Sequence, residues 1–260
     1  MNMNETMAAI ADPGTRSHVY RLLGEPFRYP TAVFFERLRG GAYAAELREA
    51  LTDLAHVCLN ETEGQPLDKK LSQALAGYPF EDYESLYITT FDVGAPQPPC
   101  PPNEGSYRDG VPRAKVLLQV AGFYEHFGLR MSTEEGKHEL PDHLSAELEF
   151  MHFLAFKEAQ ARESGDDELV QGYVLAQRDF LTRHLTVWFP KFADKLNTPT
   201  GCPAFAIIAA TAAVFFEQDL AFLRGCLKAW GIAEPREMPE IVELPPTDSA
   251  ASGCCPAADE

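Results

Sequence analysis

Positive charge is in short supply in this 260-residue chain: 22 Lys and Arg stand against 39 Asp and Glu, a formal net charge of −17. Such a surface repels nucleic-acid backbones and anionic lipid, which argues against a nucleic-acid partner or stable membrane insertion, and it attracts a basic partner. The same acidity also keeps a protein soluble without any ligand. Strand signals are missing too. No Asn-Gly or Asp-Gly lies between alternating apolar residues, and Asp109-Gly110 has loop-like flanks. No repeat of fixed period occurs. The absence of GxGxxG, Walker, GxSxG and HExxH patterns removes the commonest nucleotide, hydrolase and metalloprotease signatures. Cys58, Cys100, Cys202, Cys226, Cys254 and Cys255 form no CxxC pair and no zinc spacing, so they read as reduced thiols. The first fifteen residues hold Glu5 and Asp12 and no Lys or Arg, unlike a secretory leader. The longest apolar run, Ala204 to Phe216, is too short to span a bilayer and reads as a buried core helix. The expected compartment is the cytoplasm.

What is present is helix after helix. Helical spacing predicts segments from Arg16 to Leu23, from an N-cap at Thr31 to Leu38, from Tyr43 to Leu59, from Leu67 to Ala76 and from Glu81 to Thr90. Helices resume over Arg113 to Phe127, closed by Gly128, then from Pro141 to about Glu163. Another starts at Asp166-Asp167 and is expected to end at Trp188-Phe189-Pro190, and the last lies between Pro203 and Gly231. Between Gly94 and Pro112 the density of proline excludes helix and central strand, and a long loop of this kind inside a domain is functional or disordered. From Ala233 the chain turns acidic and Pro-rich, which reads as a disordered tail. The expected fold is all-α, a single globular domain of roughly eight to ten helices over residues 1–232, followed by a tail at 233–260.

One stretch carries the most information. In Glu139-Leu140-Pro141-Asp142-His143-Leu144, Pro141 is placed to open a helix and Asp142 to sit in its first turn, at the positive end of the dipole. Leu144, Leu148 and Met151 point into a core. Asp142 and His143 are left at the helix mouth, a place suited to recognition. His143 and Glu147 are also four apart, and with His138 and Asp142 they could form a metal-dependent hydrolase site, although two ligands on one helix are a poor start for a metal centre. A helical scaffold without any groove is the third reading. No metal and no cofactor are expected.

Four stretches together resemble the TorD/DmsD/NarJ family of redox-enzyme maturation chaperones. They are Tyr83-Glu84-Ser85-Leu86-Tyr87, Pro101-Pro102-Asn103-Glu104-Gly105-Ser106-Tyr107, Phe123-Tyr124 with Phe127-Gly128-Leu129, and Pro141-Asp142-His143-Leu144 with Glu147 and Met151. The likeness spans roughly residues 16 to 230, and Asn103 departs from it, standing where many members have an aromatic. The resemblance implies an all-α, non-enzymatic cytoplasmic chaperone, monomeric or homodimeric. Its partner would be the twin-arginine signal peptide, or the apo catalytic subunit, of a molybdenum oxidoreductase of the DMSO reductase family. The form of the loop is similar to that in chaperones serving dimethylsulfide, selenate, chlorate and ethylbenzene oxidoreductases. By the same resemblance the binding residues are Tyr83, Leu86, Tyr87, Pro102, Glu104, Tyr107, Pro141, Asp142, His143 and Glu147. Taken alone, Tyr83, Leu86 and Tyr87 read equally as core, and Asp142 as a helix-start charge.

Overall fold

The computed structural model describes residues 12–54, 66–131, 139–197 and 203–232. The expectations placed on His138, on Cys58, Cys202, Cys254 and Cys255, on the first eleven residues and on the tail from Ala233 lie outside the described residues.

The chain builds ten α-helices within them: α1 Pro13–Gly24, α2 Ala32–Arg39, α3 Ala42–Asp53, α4 Leu67–Ala74, α5 Phe80–Tyr87, α6 Arg113–His126, α7 Leu144–Ser164, α8 Asp167–Phe180, α9 Thr186–Leu196 and α10 Pro203–Ala229. No strand occurs among the described residues; a single antiparallel bridge joins Asn103 to His143. Local chemistry sets the helix starts. The Asp12 carboxylate accepts from the Thr15 amide, with Pro13 next in line. Thr31 Oγ1 accepts from Phe34, and Asp166 Oδ1 accepts from Leu169, each satisfying a donor the helix cannot reach.

Two expectations are corrected. Pro190 does not end a helix but lies inside α9. A π-helical turn, Leu181–Leu185, precedes α9 and loosens the hydrogen-bond ladder where a proline would otherwise clash. Likewise, Pro141 does not open α7. Pro141 and Asp142 form a turn, and the helix begins at Leu144 with His143 as its N-cap.

Helix α1 lies along α7, which packs on α8, and α10 runs against α8, α9 and α4. At 27 residues α10 is long and apolar enough, by length and composition, to cross a membrane. It serves as a core helix instead, burying Phe205, Ile208, Phe215, Phe216 and Leu223. Asp219, midway along it, is fully buried and takes a two-pronged bond from Arg16 of α1 at 2.6 and 2.9 Å. Arg16 also donates to Glu158 of α7 and to Gln177 of α8, and the Tyr20 hydroxyl donates to Asp219. Four helices therefore meet on one guanidinium. Burial works against its charge, but Asp219 and Glu158 hold its pKa above the ordinary arginine value.

Candidate functional site

The Pro-rich loop and the start of α7 are clasped together. The Leu144 amide donates to the Pro102 carbonyl at 2.8 Å, and the Glu104 amide to the Asp142 carbonyl at 2.9 Å. The Asp142 carboxylate accepts from the Asn103 side chain and from the Gly105 amide, both at 3.0 Å. Asp142 is fully buried. It is therefore neither a helix-dipole charge nor an exposed ligand, as the sequence suggested, but the anchor that fixes the loop. Gly105 is required because a Cβ there would stand 2.8 Å from Arg113 Cγ and 3.0 Å from the Asp142 carboxylate. On the far side, the Tyr124 hydroxyl donates to the Pro141 carbonyl.

Beneath the clasp lies a buried polar hub. The Glu104 carboxylate, 0% exposed, meets His184 Nδ1 at 2.7 Å and also accepts from Arg108. Glu147 Oε2 accepts from the Trp188 indole at 3.0 Å. Burial first, then the nearby Glu104 and Asp142 charges, push Glu147 well above the usual carboxylate range, so it is held as the neutral acid. Tyr107 stacks on Trp188 with ring centroids 5.6 Å apart. The loop, α7, the π turn and α9 thus share one interior.

The clasp forms one wall of a cleft of about 1110 Å³. Its floor is one face of α7, carrying His143, Ala146, Glu149, Phe150, Phe153 and Phe156 at three- and four-residue steps. Tyr29, Tyr87 and Asp92 close the end near His143; Tyr124, Leu129, Arg130 and Met131 form the opposing side. The cleft displays more apolar surface than a solvated helix face requires. Tyr29 is 54% exposed and Phe156 47%. His143 Nδ1 accepts from the Ser145 amide at 3.2 Å and lies 3.8 Å from Glu139. Burial lowers the His143 pKa, against the pull of Glu139, Asp142 and Asp92. The imidazole is therefore neutral as it caps the helix.

Of the ten residues the sequence singled out, Tyr87 and His143 line this cleft, and Asn103 joins them. The other eight do not. Tyr83, Pro102, Glu104, Tyr107, Asp142 and Glu147 are buried, and Leu86 and Pro141 are partly buried. Tyr83 packs on Phe35 and Phe205, which is the core alternative. Tyr87 is buried as well, with its hydroxyl spent on the Phe27 carbonyl at 3.0 Å and its ring packed on Phe91 and Phe205. Sequence reasoning missed Tyr29, Asp92, Glu149, Phe153 and Phe156. The available signal was a second apolar stripe on α7 beside the Leu144–Leu148–Met151 one, since a surface helix with a single buried face does not need two. The hydrolase arrangement does not assemble: Glu147 faces Trp188 in the interior while His143 faces the cleft, and no metal-competent cluster exists among the described residues.

Known proteins are similar to this chain. The perchlorate reductase assembly chaperone protein of Dechloromonas aromatica is 34% identical over 79% of this chain and 88% of its own length. The dimethyl sulfide dehydrogenase assembly chaperone protein of Rhodovulum sulfidophilum is 30% identical over 77% of this chain and 76% of its own. The selenate reductase assembly chaperone protein of Thauera selenatis is 35% identical over 45% of this chain and 58% of its own. Residues 41–194, which include the loop, the clasp and the cleft floor, match the nitrate reductase delta subunit family, and to that family the chain belongs.

Proposed function

We propose that this protein is a cytoplasmic, non-enzymatic chaperone. In this reading it binds the twin-arginine signal peptide or apo-form of a molybdopterin oxidoreductase, aids cofactor insertion and delays export until the enzyme is mature. The observation that carries the reading is the polarised cleft. Carboxylates of Asp92 and Glu139 line its His143 end, and Glu149, Phe150, Phe153 and Phe156 follow along α7. A twin-arginine signal has a basic start followed by an apolar stretch, the same order of chemistry. Arg–carboxylate bonds would supply direction, aromatic burial the bulk of the affinity, and the net charge of −17 the attraction at a distance. The relatives' cargoes, reductases of perchlorate and selenate and a dehydrogenase of dimethyl sulfide, indicate the class of enzyme served.

The roles of the buried motif residues follow from their places. Asp142, Glu104 and Glu147 act by holding Asn103 and His143 in the wall rather than by touching the ligand. Calorimetric titration with a twin-arginine signal peptide, at low and moderate salt and beside an Arg-to-Lys peptide, tests the reading. Saturable binding that weakens with salt and with lysine is the expected result. Binding indifferent to both would leave an apolar groove without signal specificity, and no binding would remove the signal peptide as the target.

A further inference from the structure

The cleft already contains a guanidinium. Arg28, in the extended residues that follow the short helical turn Glu25–Phe27, reaches to Glu149 on α7 and bonds its carboxylate at 2.8 Å. Both residues line the cleft, and both are half-exposed or more, at 49% and 66%. Exposed pairs of this kind contribute little to stability and open readily. Glu149 lies six residues beyond His143, about 9 Å along the helix axis. At the His143 end, Glu139 and Asp92 form a separate acidic station, walled by the Tyr29 and Tyr87 rings, which meet edge to face at 5.8 Å. Aromatic faces beside carboxylates favour a planar cation. Two such stations in one cleft suit two arginine side chains that leave a backbone in opposite directions.

We infer that the cleft holds two guanidinium stations, one at Asp92 and Glu139 and one at Glu149, and that Arg28 occupies the second as an internal competitor for the incoming chain. This rests on the proposed peptide-binding role of the cleft. The resting ion pair keeps Glu149 neutralised. A ligand with a single basic residue is satisfied at the His143 end and leaves Arg28 in place. A ligand with two displaces Arg28 into solvent and takes over Glu149. Arg28 is then a specificity-determining residue: it sets a threshold that a lone arginine does not cross.

The test uses the full chain and two probes, a twin-arginine signal peptide and octylguanidinium, which carries one planar cation and an apolar tail. Removing the competitor by Arg28→Ala is expected to tighten the twin-arginine peptide about fivefold at low salt, the scale of one exposed ion pair, and to leave octylguanidinium within about twofold. Arg28→Lys keeps the charge and should stay within about twofold of the parent. Glu149→Gln should weaken the twin-arginine peptide while leaving octylguanidinium, held at the other station, within about twofold. Thermal melting of each variant establishes that the fold is retained, which the exposure of both side chains favours. Unchanged or weaker peptide binding by Arg28→Ala, or octylguanidinium tightened as much as the peptide, overturns the inference. If no variant binds the peptide, the signal-peptide reading falls and takes this inference with it; if the parent binds the peptide and Arg28→Ala does not tighten it, the competitor alone falls.

Discussion

Gly105 is the residue at which one added carbon does most harm. Its missing Cβ leaves room for the Asp142 carboxylate and the Arg113 stem to close on the loop. Gly105→Ala should cost about 1–3 kcal/mol through overpacking, read as a lowered midpoint in urea. Asp142→Ala belongs to the same class. It leaves the Gly105 amide without its acceptor and should cost about 2 kcal/mol, so any loss of ligand binding must be measured on protein shown to be folded. Glu147 makes the opposite prediction. Its folded pKa is raised, so the native state binds a proton more tightly than the unfolded chain does. Stability linked to Glu147 is full below the ordinary carboxylate range and is lost as pH rises above it. Glu147→Gln copies the neutral acid, accepting from Trp188 and carrying no charge towards Glu104. Its stability should be flatter with pH than the parent's and should exceed it at neutral and alkaline pH, measured by urea unfolding across that range. None of these side-chain roles was legible in the sequence. A carboxylate in a motif reads as a ligand because burial is set by partners 37 to 80 residues away, Gly105 for Asp142 and His184 for Glu104.

At the scale of elements the sequence was more informative, because helix starts and stops depend on neighbours three or four residues off. Thr31, Asp166 and Gly128 mark their boundaries in the structure as their chemistry requires. The failures came where tertiary packing decides. The turn at Pro141–Asp142 is held by the loop it bonds, and Pro190 is carried by the π turn before it. Helix α7 shows why the cleft was only half visible. Leu144, Leu148 and Met151 bind it to the core, while Phe153 and Phe156 sit between about a third and half a turn away on the face of the cleft. Core and ligand faces use the same residue types, and their separation emerges only once the neighbouring helices are in place. Phe156→Ala should therefore leave the melting temperature nearly unchanged, since the ring is half exposed, yet weaken an apolar ligand several-fold. Leu148→Ala should do the reverse, costing about 2–5 kcal/mol of stability from a fully buried site. Calorimetry and melting on the two variants separate the faces.

For the whole molecule, the all-helical class could be read from periodicity and from the absence of strand signals, but the contact that ties the helices together could not. Nothing local distinguishes Arg16 from any other basic residue of an amphipathic helix. Its partners are Glu158, Gln177 and Asp219, distant by 142, 161 and 203 residues. Arg16→Ala would leave buried Asp219 without its guanidinium, while Glu158 keeps Arg162 and Gln177, and should cost about 3–5 kcal/mol, enough to consume much of a domain's net stability; denaturant unfolding measures it. The contact also has a consequence in time. Arg16 belongs to the first described helix and Asp219 to the last, so during synthesis the guanidinium is made early and its carboxylate late. The earlier helices can collapse on one another as they emerge, but the bond that closes the interior must wait for 203 residues of chain to be laid down. A pairing of such long sequence separation is slow to form and forms late. A chain stalled before α10 would hold an arginine buried without its main partner, a half-built interior that is expelled rather than kept. The described fold therefore becomes competent all at once, when α10 has been laid down, and not helix by helix.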